Sequence, residues 1–89
     1  MKGEPVTYRT IKHQTRILTE TVAEQIGYFT NRTDLMDVAT KTWTSYWRVY
    51  MKDRVQDAAA PLEEHLTIIE SLLERLFKDL RAALGRESQ

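Results

Sequence analysis

The chain has no cysteine, which excludes a disulfide framework, a thiol nucleophile and a thiolate metal site. An excess of charge of either sign is also missing. Thirteen basic side chains meet thirteen acidic ones, for a formal net charge of zero. The bulk attraction that draws a general nucleic-acid or anionic-membrane binder to its target is therefore lacking, and a nucleic-acid partner is disfavoured. Long apolar runs are absent too: no stretch approaches the roughly 20 residues of a transmembrane helix. The opening MKGEPVTYRTIKHQ lacks the apolar core of a signal peptide. These absences lead to the expectation of a cytoplasmic protein without a transmembrane segment. Glycine and proline are scarce, three and two in 89 residues, and apolar residues recur at steps of three and four, the spacing of helices. A chain of this length holds one core, so a single all-α domain over 1–89 is expected.

Three helices are predicted. The first covers about 7–30, with Ile11, Leu18, Val22, Ile26 and Phe29 in an apolar stripe interrupted only by Thr15, and Pro5 just outside its start. The segment FTNRTD ends it: Asn31 tolerates a left-handed backbone, and Thr33 or Asp34 is placed to cap the next helix. Asn31-Arg32-Thr33 also spells a glycosylation acceptor, read here as a turn. The second helix is expected over 34–60. Pro61 then forms either a turn or a kink, because it has no N–H to donate. The third helix runs over 61–84, where Gly85 is expected to stop it. It carries a heptad pattern, with Leu66, Leu73 and Leu80 in one seam row and Leu62, Ile69, Leu76 and Ala83 in the other. Leu72, Phe77 and Leu84 flank that seam. The resulting stripe is wider than a two-stranded coiled coil needs, which points to a three-helix hairpin or small helical bundle with a coiled-coil-like C-terminal helix, in an oligomer.

Both tryptophans and two of the four tyrosines fall between Trp43 and Tyr50. Trp43, Trp47 and Tyr50 share one helix face, with Tyr46 beside them. Such a stripe is either the core of a small bundle or a surface for a partner, since Trp and Tyr keep a polar atom that suits the edge of an apolar surface. The patch is read as too broad for one neighbouring helix to cover, which places at least one tryptophan at an interface. Arg48, Lys52 and Arg54 interleave with the rings, but Asp53 and Asp57 offset them.

Catalytic and metal chemistry find little footing. His13, Glu20, Glu24, Glu63, Glu64 and His65 do not reproduce the Glu-x-x-His spacing of a di-iron bundle. No phosphate loop or nucleophile elbow occurs, and Ser45, Ser71 and Ser88 have no local base. No catalytic residue, metal ligand or cofactor is assigned, and a non-enzymatic protein is expected.

The stretch DLMDVATKTWTSYWRVYMKDRVQDAAAPLEEHL resembles the central part of phasins, the helical proteins that coat polyhydroxyalkanoate granules. A helix, a turn carrying Asp34-Leu35, then aromatics at Trp43, Trp47 and Tyr50 followed by Ala58 to Ala60 carry the likeness over residues 15 to 75. The resemblance implies a cytoplasmic, oligomeric, all-helical protein whose apolar face adsorbs to a granule surface or docks on a protein partner. The chain departs from the family by its shortness and its leucine heptad. The residue reading reaches a similar end: three helices with broad apolar stripes carry more apolar face than one small core hides. The expected function is a homo-oligomeric interaction protein, with an accessory subunit of a larger enzyme or helical partner as the alternative. The expected interface comprises Trp43, Tyr46, Trp47, Tyr50, Leu62, Leu66, Ile69, Leu73, Leu76 and Leu80.

Overall fold

A computed structural model describes residues 6–88, and the side chains of 6–85. Pro5 lies outside the described residues. Three helices make up the domain: α1 (Tyr8–Thr30), α2 (Leu35–Tyr50) and α3 (Leu62–Ser88). The expected all-α bundle is what the chain forms.

Thr7 caps α1, its hydroxyl accepting from the Thr10 N–H at 3.3 Å. Two further donors of that first turn, the N–H groups of Tyr8 and Arg9, reach the carbonyls of Ala58 (3.2 Å) and Gln56 (2.8 Å). This accounts for the main departure from the predicted boundaries. The second helix ends at Tyr50, not at residue 60, and 51–61 form turns. The alanines at 58–60 have strong helix propensity. That preference is overridden because their segment lies across the start of α1, joined by the Thr7–Ala59 bridge, the Ala60 N–H to Val6 carbonyl bond (2.8 Å) and the exposed Arg9–Asp57 pair. Arg54 closes α2 by donating to the Tyr50 carbonyl at 2.8 Å. Pro61 is thus at the end of a loop, and its carbonyl accepts the first bond of α3 from His65.

At the other end, Asn31 adopts the left-handed conformation (φ 60°, ψ 34°) foreseen for it, and the Asn31 and Arg32 N–H groups converge on the Gly27 carbonyl. Asp34 starts α2 but does not cap it through its side chain; its carboxylate takes a two-pronged bond from Arg32 (2.8 and 2.7 Å). The turn is tight enough that a Cβ on Gly27 would lie 2.6 Å from the Arg32 carbonyl oxygen. Gly85 is different. It has no positive φ, α3 runs through it, and a Cβ there would meet nothing within 4 Å. Gly27→Ala should therefore lower the melting temperature, because backbone must move. Gly85→Ala should raise it, by about 0.5–1 kcal/mol of helix propensity. Thermal unfolding followed by circular dichroism checks both signs.

Tyr8 lies against Tyr50 and bonds to Glu64, so the start of α1, the end of α2 and the start of α3 share one end of the bundle. Arg32 reaches the Ala83 carbonyl at the opposite end. The helices therefore run up, down and up. α2 packs extensively on both neighbours, while α1 and α3 touch each other least. One cluster joins Ala23, Leu35, Ala39, Leu76, Leu80 and Ala83; a second joins Tyr8, Ile11, Trp47 and Ile68.

Candidate functional site

The aromatic stripe is mainly interior. Trp47 is 2% exposed and packs among Tyr8, Ile11 and Ile68, while Trp43, Tyr46 and Tyr50 are half-buried around it. Trp47 is therefore removed from the expected interface. The patch is indeed too broad for one helix, but α2 is the central element, so α1 and α3 share it. The two tryptophans are not both fully buried, since Trp43 remains at the rim, where Lys12 and Arg16 approach its ring at 5.7 and 5.6 Å.

Each polar atom of the stripe has a partner on a neighbouring helix. The Thr15 hydroxyl accepts from the indole N–H of Trp47 (3.1 Å) and of Trp43 (3.3 Å), and itself donates to the Lys12 carbonyl (3.0 Å). Trp43 also donates to that carbonyl at 3.1 Å. The single interruption in the apolar stripe of α1 is thus the acceptor that lets two indoles pack against it. Tyr46 shares a hydrogen bond with Ser71 at 2.7 Å and stacks on Tyr50, with centroids 5.6 Å apart and planes 11° from parallel. Buried Thr42 donates to Asp79 at 2.6 Å.

Glu64 is the most connected of these acceptors. Its carboxylate receives Tyr8 at 2.6 Å, Tyr50, and the Arg54 guanidinium at 3.3 Å, while Arg54 also lies 4.0 Å over the Tyr50 ring. Hydrogen bonds from Tyr50 and Tyr8 hold the Glu64 carboxyl below the usual carboxylate range. Burial, and then the bond to Glu64, pushes the Tyr50 phenol up. A charged carboxylate with two neutral phenols and a guanidinium is a structural clamp at the joint of three helices, with no free acid or base for chemistry. Among the described residues, no group of three or more His, Asp or Glu comes together to hold a metal ion. Every buried side-chain nitrogen or oxygen in the described residues has a partner. The depressions between α2 and α3 are open surface grooves lined by Thr42, Ser45, Arg75 and Asp79, among others.

The partners Thr15, Glu64, Ser71 and Asp79 were not foreseen as partners of the aromatic helix. The interruption at Thr15 was the one local signal; the rest depend on how the helices pack.

The leucine-rich helix divides differently from the predicted seam. The chain buries Ile68, Leu72, Leu76, Leu80 and Ala83 against α1 and α2. Ile69 and Leu73 are half-buried, and Leu62 and Leu66, expected in the seam, stand 72% and 55% exposed. The reason is geometric. A straight helix advances about 100° per residue, so a four-residue ridge such as 68, 72, 76 suits packing within a short bundle, while the strict heptad suits a supercoiled pair. On that wheel, the row Leu62, Leu66, Ile69, Leu73 is centred roughly 90° from the buried ridge. Phe77, 40% exposed, borders the same outer row. The apolar arc is therefore split, one half in the core and the other facing outward. Tyr28 and Phe29, edge to face at 5.5 Å, are also exposed, at the end of α1 near Ala83.

No helix among the described residues is long and apolar enough to cross a membrane. No protein-family model, no curated protein and no solved structure matches the chain.

Proposed function

We propose that the chain is a non-catalytic helical interaction protein that self-associates through the outer row of α3. It is phasin-like in that an apolar helix surface is what it offers. The observation that carries this reading is the row Leu62, Leu66, Ile69, Leu73 and Phe77 on a helix whose adjoining side, about 90° around, already fills the core. Large apolar side chains repeated along a helix at seam spacing leave a contiguous patch, and such patches mark interaction sites. Support also comes from the interior, where hydrogen-bonded polar groups and the Glu64 clamp leave no unpartnered acid, base or metal set among the described residues. Coating of a granule surface in the cytoplasm belongs to this proposal through the resemblance to phasins.

Leu66→Glu is the direct test, because residue 66 is exposed and outside both core clusters. The variant should keep its helicity and melting cooperativity as a monomer. Its self-association constant should fall by tenfold or more, since two buried glutamates would meet an apolar row. Equal association of variant and wild type would overturn the reading. A wild-type monomer that binds a larger partner through this row would move it to the accessory-subunit alternative.

A further inference from the structure

We propose that the surface depression around Trp43, where α1, α2 and the loop 51–61 meet, binds a nucleoside phosphate, with the base stacked on the indole and the phosphate held by Lys12 and Arg16. The site lies on the flank of α1 turned toward α2, away from the outer row of α3, so it stands whether or not that row joins two copies.

The ring is a fixed platform. Trp43 is half-buried, and its indole N–H donates inward to the Lys12 carbonyl at 3.1 Å and the Thr15 hydroxyl at 3.3 Å, which sets the orientation of the plane. Lys12 and Arg16, one turn apart on α1, bring their charged groups to 5.7 and 5.6 Å from the ring centroid. The depression is lined by Arg9, Lys12, His13, Arg16, Trp43 and Gln56, so each ionisable group in its wall is basic. Arg9 pairs with Asp57 and Arg16 with Glu20, in exposed contacts that are weak and exchange readily for another anion. Lys12 has no carboxylate partner among the described residues; its ammonium rests on the ring.

These charges also run against the helix that bears them. The first turn of α1 holds no acid, and Arg9, Lys12, His13 and Arg16 all precede its first carboxylate, Glu20. Cations near a helix N-terminus oppose the macrodipole, so the arrangement costs α1 stability. Local rules are broken in this way chiefly at functional sites. The helix end itself is not the site, because the N–H groups of Tyr8, Arg9 and Thr10 are already taken by Ala58, Gln56 and Thr7. An anion here meets side chains.

The combination of ring and charge selects the ligand. A bare phosphate has no use for the indole, and an uncharged aromatic has none for the cations. A nucleotide uses both, as in single-strand binding, where bases stack on aromatic rings beside basic side chains. On binding, Lys12 and Arg16 swing from the ring face to the phosphate. Arg9 and Arg16 lie about 10 Å apart along the helix, at 1.5 Å per residue, which is room for a few nucleotides at most. That agrees with a net charge of zero: the chain has no field to gather a long polyanion, and a local site needs none. A free nucleotide and a short single-stranded segment offer this same chemistry.

Trp43 reports on its own site. In Trp47→Phe it is the one indole left. Adenosine monophosphate should quench its emission saturably at millimolar concentration, while adenosine and inorganic phosphate should bind about fivefold more weakly or worse. In the unmodified chain, the indole N–H signal of Trp43 in a nitrogen-resolved NMR spectrum should shift along the same curve and that of Trp47 should stay, so the test holds even where the variant is unstable. Lys12→Gln leaves both core clusters untouched; it should melt no lower than wild type and weaken binding about fivefold. Lys78→Gln, on α3, should change nothing. An oligoadenylate that binds about tenfold more tightly per nucleotide at low salt identifies a strand as the source, and equal affinity identifies the free nucleotide. No saturable binding of either, adenosine bound as tightly as its monophosphate, or Lys12→Gln binding as wild type does would each overturn the proposal.

Discussion

Trp47→Ala should unfold the domain at ordinary temperatures or remove most of its stability. The indole is 2% exposed, fills the cluster of Tyr8, Ile11 and Ile68, and donates to Thr15. Removing a buried aromatic costs about 3–5 kcal/mol from lost transfer and the cavity left behind. An 89-residue domain stabilised by roughly 0.05–0.15 kcal/mol per residue has little beyond that to lose. Trp47→Phe keeps most of the ring area and forfeits only the bond to Thr15, which retains Trp43 as a donor. It should cost about 1–2 kcal/mol. Chemical denaturation measures both. A Trp47→Ala protein as stable as the wild type would return the stripe to the surface.

Leu72→Ala should be the second large effect. Leu72 is fully buried on α3, although the heptad places it beside the seam. Truncating a buried leucine costs about 2–5 kcal/mol. Leu62→Ala, at a seam position that stands 72% exposed, should leave the unfolding of the monomer within about 0.5 kcal/mol of wild type. Measured below the dimer dissociation constant, the two substitutions separate the core ridge from the outer row. The opposite ranking would mean that the heptad seam is the folding core.

The helices were legible where local pattern and packing agree. Thr7, the apolar stripe from Ile11 to Ile26, and the left-handed Asn31 define α1 from sequence alone. The wide apolar arc of α3 was also legible, together with its consequence that one small core would not hide all of it. Its division was not. Periodicity shows which residues share a face, but not which part of a broad face the chain's own helices take. The segment 51–61 was misjudged because its alanines favour a helix and no breaker precedes Pro61; the competing term is a set of backbone bonds to the start of α1, some 50 residues away. Trp47 left the expected interface for a similar reason. The breadth of the stripe was read correctly, but the position of α2 between two neighbours is a property of the whole fold. In the sequence Glu64 is one of several acids without a metal-ligand spacing, and only the meeting of three helix ends makes it the acceptor for Tyr8, Tyr50 and Arg54.

Sedimentation equilibrium of the unmodified chain, from low micromolar to hundreds of micromolar, tests most directly whether the outer row of α3 joins two copies. The expected result is a reversible rise from the 10.4 kDa of one chain to twice that mass, abolished by Leu66→Glu. A single species of 10.4 kDa across the whole range would contradict it.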